Sequence, residues 1–295
     1  MRWVVSLTGL VFLALVCAQA THVGADYTVS RIAFVSTRTG NGDIYVMDAD
    51  GRNERRLTEG PMIDRDPAWS PDGREIAFGR THNENDDIFV MDADGTNVRR
   101  LTDDPARDSH PTWSPDGRRI AFASNRTGNG DIYVMDADGT DVVRLTESPA
   151  VDSDPAWSHD GRRIAFARQR DDVTKADIFT IGANGEDPRR LTFGSYRDYE
   201  PAWTPGDSAL AFTRGRGGDS DIFLIRLRNN DERQLADSRR RDRHPSWGPG
   251  GQRIAFASNR DGDWEIYLAS VEHRGLTRLT DNRADDKEPD WWGPR

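Results

Sequence analysis

The chain has 295 residues and a formal charge of -10. Only 35% of its residues are hydrophobic and the mean hydropathy is -0.78. Nearly all of its positive charge is arginine scattered among acids, with lysine only at Lys175 and Lys287, so no basic stripe tracks a phosphate backbone and nucleic acid is excluded as the expected partner. So few apolar residues build a core of this size only if they are strictly placed, and they are: Ile-Ala-Phe, once Leu-Ala-Phe, recurs at a near-constant interval.

In chain order, the first segment reads as a signal peptide over 1–20. Arg2 supplies the positive end, Trp3 to Val16 are mostly apolar, and Ala18-Gln19-Ala20 is a small-x-small cleavage site. The apolar stretch is short for a membrane anchor, so no membrane span is expected in the mature protein. Val16 before Cys17 is bulkier than the small residue of a bacterial lipobox, which favours simple secretion over lipidation. Cleavage after Ala20 leaves a mature chain without cysteine, hence without disulfides.

Residues 21–295 read as one domain of six repeats. The Phe of the triplet falls at Phe34, Phe78, Phe122, Phe166, Phe212 and Phe256, and a Trp at Trp69, Trp113, Trp157, Trp203, Trp247 and Trp291. The period is 44 residues, once 46. Four strand-like segments per period are expected in an all-β, six-bladed β-propeller of four-stranded antiparallel blades. In the repeat from Asp108 to Thr146, strand A is His110 to Ser114 and Ser114-Pro115-Asp116-Gly117 is a turn. Strand B is Arg119 to Ser124 and strand C Asp131 to Met135. Asp136-Ala137-Asp138-Gly139 turns the chain into strand D, Val142 to Leu145. Such Asp-x-Asp-Gly turns, at Asp48, Asp92 and Asp136, are hairpin turns rather than calcium loops, for they lack the later Glu ligand.

Trp to Phe is always 9 residues, and the strand D Leu to the next Trp always 12. The one departure is an insertion of two residues around Asp171 to Lys175. No loop is long enough for a lid. The first Phe has no Trp before it and the last Trp no triplet after it, so Glu288-Pro289-Asp290-Trp291 is expected to supply strand A of the N-terminal blade and close the ring.

Pro-x-Trp-Ser-Pro-Asp-Gly, Ile-Ala-Phe, Asp-Ile-Tyr-Val-Met-Asp and Arg-Leu-Thr together resemble the WD-repeat-like propeller repeat of the TolB family, over essentially the whole mature chain. The resemblance implies a periplasmic part of the Tol-Pal envelope system whose propeller face binds the peptidoglycan-associated lipoprotein. It also implies an N-terminal α/β domain, for which the stretch between Ala20 and the first repeat offers no candidate.

In such propellers strand A lines the central channel, and two series of residues stand near it. Five residues before each Trp is an Asp: Asp64, Asp108, Asp152, Asp198, Asp242 and Asp286. Exposed at a channel mouth, these carboxylates create a strong negative field. The competing reading makes them scaffold, each paired with an Arg or capping loop amides. Candidate partners four residues after the Phe are Arg38, Arg126, Arg170, Arg216 and Arg260, with His82 in the remaining place. Three residues before each Trp the series is Asp66, His110, Asp154, Glu200, His244 and Glu288. This position varies in type where the first does not, which marks it for individual function. Two His among four carboxylates hold a divalent cation or a basic ligand group, or else simply titrate in a wet channel. Arg239, Arg240, Arg241 and Arg243 are expected to be a solvated face answering Asp237 and Asp242.

No Gly-x-Ser-x-Gly or His-Glu-x-x-His occurs and the lone Cys lies in the leader, so no peptidase machinery is present. A polysaccharide lyase using His110, His244 and the Arg series is the catalytic alternative. The expectation is a secreted protein, periplasmic where the host has an outer membrane. It is a monomeric, non-catalytic platform without a cofactor, binding a protein or peptide, preferably a basic one, at an acidic propeller face.

Overall fold

Alternation explains the strands. In each Ile-Ala-Phe the Ile and Phe point to one face and the Ala to the other, so both faces can be buried. The structure is a computed structural model that describes residues 30–82, 85–272 and 275–294; the leader expected over 1–20 lies outside them. The described residues contain no helix, and hence none long and apolar enough to cross a membrane.

The first described repeat holds β1 (Arg31–Ser36), β2 (Asp43–Asp48) and β3 (Arg55–Arg56). The second repeat is β4 (Ile63–Trp69), β5 (Glu75–His82), β6 (Asn85–Asp92) and β7 (Arg99–Arg100). The third is β8 (Asp108–Trp113), β9 (Arg119–Ser124), β10 (Asp131–Asp136) and β11 (Val143–Arg144). The fourth is β12 (Asp152–Trp157), β13 (Arg163–Gln169), β14 (Ala176–Gly182) and β15 (Arg189–Arg190). The fifth is β16 (Arg197–Trp203), β17 (Ala209–Arg216), β18 (Asp219–Arg226) and β19 (Asp231–Ala236). β20 (Asp242–Trp247), β21 (Arg253–Ser258), β22 (Glu265–Ser270) and β23 (Leu276–Arg278) follow, and β24 (Asp286–Trp292) is the last described strand. Strand A thus begins two residues earlier than the sequence suggests, because Asp108 already pairs with Ser124.

The result is an all-β propeller of four-stranded antiparallel blades. Four sheets stand separately and a fifth has eight strands, so the count of separate sheets differs from the six repeats. In the eight-stranded sheet the fourth and fifth repeats are joined by one parallel pair, Ala176 with Arg197. This junction begins at the strand that follows the two-residue insertion.

Strand β24 pairs with β1 from Arg31 opposite Trp292 to Ser36 opposite Asp286, as the split repeat requires. The closure is reinforced by Thr37 N–H donating to Asp285 O at 3.0 Å and Trp292 Nε1 donating to Pro71 O at 3.1 Å. Core clusters lie between neighbouring repeats rather than within them. One joins Val35, Ile44 and Val46 to Trp69, Ile76 and Phe78, and another joins Ala257, Ile266 and Leu268 of the last repeat back to Ile32, Phe34 and Trp291 of the first. The six triplet Phe side chains are fully buried at these interfaces, each contributing roughly 1.5–3 kcal/mol. Arg-Leu-Thr has a local cause: the Thr hydroxyls of Thr58, Thr102, Thr146, Thr192 and Thr280 accept the first Ile N–H of strand C at 2.9–3.0 Å. The fifth repeat has Ala236 there and instead extends strand D to six residues.

Candidate functional site: the axial cavity

The strand A segments surround a cavity of about 320 Å³. Asp66, His110, Asp154, Glu200, His244 and Glu288 line one tier, and Ala68, Thr112, Ala156, Ala202, Ser246 and Asp290 the next. Pro71, Pro115, His159, Pro205 and Pro249 line the far end. All of the more variable series is therefore brought together.

The backbone explains how. Each strand A slips register at these residues, for example between Arg65 and Ala68, and between Arg243 and Ser246. Such a bulge leaves residues out of the ladder and re-aims a side chain; the following Pro has no N–H to lose. All six residues take positive φ, from 52° at Asp66 to 56° at Glu288. The left-handed region costs a non-glycine residue about 1–2 kcal/mol. The positive φ recurs at every copy of this position although the residue type varies.

The tier is cross-linked between repeats. Glu288 Oε2 accepts the Asp66 N–H at 2.8 Å, and Glu200 Oε2 accepts the His244 N–H at 2.8 Å and the Thr213 hydroxyl at 2.7 Å. His244 Nε2 lies 2.9 Å from Glu200 Oε1. His110 Nε2 lies 3.2 Å from Asp154 Oδ1 and 3.7 Å from Asp66 Oδ1. Asp66 Oδ2 and His244 Nδ1 are buried without a hydrogen-bond partner.

Burial opposes charge on His244, but Glu200, with Glu288 and Asp66 behind it, overrides this and pushes the imidazole up to about 9. Glu200 is driven down to about 2: its burial, which acts upward, is outweighed by the facing imidazolium. His110 is raised as well, Asp66, Asp154 and Glu288 prevailing over burial and the repulsion from His244. Burial and the charge of Asp66 raise Glu288. Both imidazoles are raised although burial acts against them, so the potential in the cavity is net negative.

The invariant Asp series is not on the channel face. Asp64, Asp108, Asp152, Asp198, Asp242 and Asp286 are at most 1% exposed, and none lines the cavity. Each holds an arginine at 2.6–3.0 Å: Arg80, Arg126, Arg168, Arg214, Arg260 and Arg38 respectively. The expected ring of exposed carboxylates is thus corrected to neutralised scaffold, as its competing reading held. The partners obey a rule that one spacing missed. Where the residue two after the Phe is Arg (Arg80, Arg168, Arg214) it makes the pair. Where that residue is Ser (Ser36, Ser124, Ser258), the Arg two further on does so and donates Nε to the Ser hydroxyl. Arg170 turns to Asp177 instead, and Arg216 lies over the Tyr196 ring. Nor does Asp242 answer the Arg239–Arg243 run, since Arg260 occupies it.

A second pair series ties strand C to strand D: Arg56 to Asp43, Arg100 to Asp87, Arg144 to Asp131, Arg190 to Asp177 and Arg278 to Glu265, at 2.7–2.9 Å. The fifth repeat breaks it with Gln234. Asp221 is left with the Ser238 N–H at 3.3 Å, and its pKa rises to about 6 through burial and the nearby Asp242, Asp237 and Asp219.

Asp290 is a cavity residue that the two series passed over. It is the one ionisable member of the second tier, accepting from Trp69 N–H at 2.7 Å and the Ser246 hydroxyl at 3.3 Å, and burial lifts it to about 6. The signal was present one residue before each Trp. His159 is another: it stands where four other repeats have Pro, and its backbone N–H goes to Asp207, which replaces the turn Gly of Gly73, Gly117, Gly161 and Gly251, at 2.8 Å. Among the described residues no three His, Cys, Asp or Glu side chains are grouped to hold a metal ion.

The family profile described as the TolB beta propeller domain matches residues 27–107, 67–151 and 105–242. The Tol-Pal system protein TolB of Geobacter sulfurreducens is 54% identical over 46 residues, 16% of this chain and 11% of that protein. The protein TolB homolog of Chlorobaculum tepidum is 51% identical over 47 residues, 16% and 11% of the two chains. The chain thus matches about a tenth of the length of these relatives. Among solved structures, TolB from Acinetobacter baumannii superposes with a TM-score of 0.77 at 22% identity, covering 92% of this chain and 68% of that one. An oligogalacturonate lyase in complex with manganese gives 0.60 at 13% identity, covering 86% and 74%. At such identities these superpositions speak for the fold. Taken with the profile, which spans most of the described residues, they close the assignment: the chain belongs to the TolB beta propeller domain family.

Proposed function

We propose that this chain is a six-bladed, non-catalytic propeller, exported by the leader over 1–20, that serves in the cell envelope as a binding platform for a protein or peptide. It is periplasmic where the host has an outer membrane. The two halves of the eight-stranded sheet count as two blades, since each has its own antiparallel A–D order and its own core contacts to its neighbours. The reading is carried by one observation: residues of three kinds, Asp, His and Glu, share the same strained bulge around one cavity.

The net negative potential favours a cationic group, a Lys or Arg side chain or a free amine, at the Asp66, Glu288 and Asp154 side of the tier. The Tol-Pal names of the relatives agree with an envelope partner. No cofactor is required. Against the lyase alternative, His244 held near 9 is already protonated at neutral pH and is a poor general base.

Affinity capture from envelope extract, with wild type and with the D66N/E288Q variant, tests the platform. Wild type should retain a partner that the variant loses by at least about tenfold, the worth of one charge-assisted contact. Equal capture by both, or turnover of a uronate polymer that is abolished in H110A/H244A, overturns the reading.

A further inference from the structure

About half of the described arginines are matched to carboxylates, and among those that are not, four cluster on the fifth and sixth repeats. Arg197, Arg216, Arg241 and Arg243 make no ion pair among the described residues, for the adjacent Asp198 and Asp242 are taken by Arg214 and Arg260. Arg241 donates Nε to Gly218 O at 2.7 Å, and the guanidinium groups of the other three lie over aromatic rings. Arg197 and Arg243 both sit 5.5 Å from the Tyr199 ring, and Arg243 also sits 5.8 Å from Trp264, which Lys287 approaches at 5.9 Å. Arg216 lies 5.7 Å from Tyr196. Arg243 Nε is buried without a hydrogen-bond partner. The strip runs across the fifth, sixth and first repeats; the third and fourth have Ser109 and Ser153 where it has Tyr199, Arg243 and Lys287.

Beside it opens a depression of about 600 Å³ that includes Thr174, Tyr196, Arg197 and Arg216 and has no carboxylate in its lining. Missing side chains keep it open: Gly215 stands opposite Arg197 in the β16–β17 register, and a Cβ at Gly217 would meet nothing within 4 Å. Thr174 comes from the inserted loop, so the one irregular connection of the chain contributes to this pocket.

A guanidinium stacked on an aromatic face has its planar orientation set and its N–H edge free for a bidentate carboxylate. The net charge of -10 repels a long polyanion, so the strip suits a short segment rather than a nucleic acid. The geometry points to a second binding site on this face, in which Arg197, Arg216 and Arg243 take the carboxylates of a short acidic peptide segment. It deepens the platform reading by giving the partner an acidic element beside the cation bound in the cavity.

The test is fluorescence anisotropy of purified protein with dye-labelled, end-blocked hexaglutamate. Saturable binding is expected, weakening steeply as salt rises from about 50 to about 200 mM. R197Q/R216Q should weaken it by about tenfold or more. Both arginines are exposed, so the variant keeps its fold, verified by its melting curve. R243Q should weaken it as well. Absence of saturable binding, binding unchanged in R197Q/R216Q, or tighter binding of an oligothymidylate of the same length overturns the proposal. Because probe and protein are both purified, the result is independent of whether the axial cavity captures an envelope partner.

Discussion

Replacing Gln234 by Arg should stabilise the protein, and only above a definable pH. Five repeats show the pair this substitution rebuilds: the Arg sits opposite the strand C aromatic, as Arg56 sits opposite Tyr45, and reaches the acid two residues before it. Gln234 stands opposite Phe223 in the same way, with Asp221 two residues before. The wild-type carboxyl has been moved from 3.8 to about 6. At about 1.36 kcal/mol per unit the shift sets a ceiling near 3 kcal/mol on the cost of its ionisation, and partial solvent screening reduces this to about 1–2 kcal/mol. A raised carboxyl pKa means that stability is full below about 4 and lost as pH rises through about 6. The rebuilt pair removes that loss. Scanning calorimetry should therefore show Q234R melting about 3–6 °C above wild type at pH 7.5, with the difference vanishing toward pH 4. A gain of equal size at both pH values, or a loss at pH 7.5, refutes the assignment of Asp221 as an unmatched acid.

Removing Glu288 to Arg295 takes away most of β24, including the buried Trp291 and Trp292. The apolar loss alone is about 4–6 kcal/mol, a large share of ordinary domain stability, so cooperative thermal unfolding should disappear; an unchanged melting temperature would show that the ring does not depend on this strand. In NMR titration the His244 imidazole should change charge near pH 9, and H244A should return Glu200 from about 2 toward the ordinary carboxylate range or above. Stability from His244 is present below about 6.5 and lost as pH rises through 9, whereas that from Glu200 is present above about 4.5 and lost as pH falls through 2. An imidazole titrating near 6.5 would refute the pairing.

The ring was legible because its causes are local and repeated. The Ile-Ala-Phe alternation, the Pro-Asp-Gly turn and the unmatched ends each dictate a piece of backbone, and the β1–β24 pairing follows. The cavity tier was legible for a different reason: its six members vary where other positions do not. What a single spacing could not show is which arginine answers each buried Asp, because Arg80 and Arg126 reach equivalent carboxylates from positions two residues apart, and a Ser hydroxyl makes the difference. The basic strip was hidden for a related cause. Arg243 reads as the natural partner of Asp242 until packing gives that carboxylate to Arg260. Asp290 escaped because it is a change in one copy only, easily lost beside five small residues.

The seam has a mechanical side. Arg31 begins β1 opposite Trp292 near the end of β24, so the two segments leave the sheet at the same edge. Tension applied across them loads that antiparallel pair one residue at a time, starting with the Ser30 hydroxyl on Trp292 O at 3.0 Å, rather than shearing the whole ladder together. Under force the seam is a zipper, and it is the one junction between the first and last described strands that no covalent loop bridges. Anchoring the protein at both ends would therefore turn a closed ring into an extensible strap.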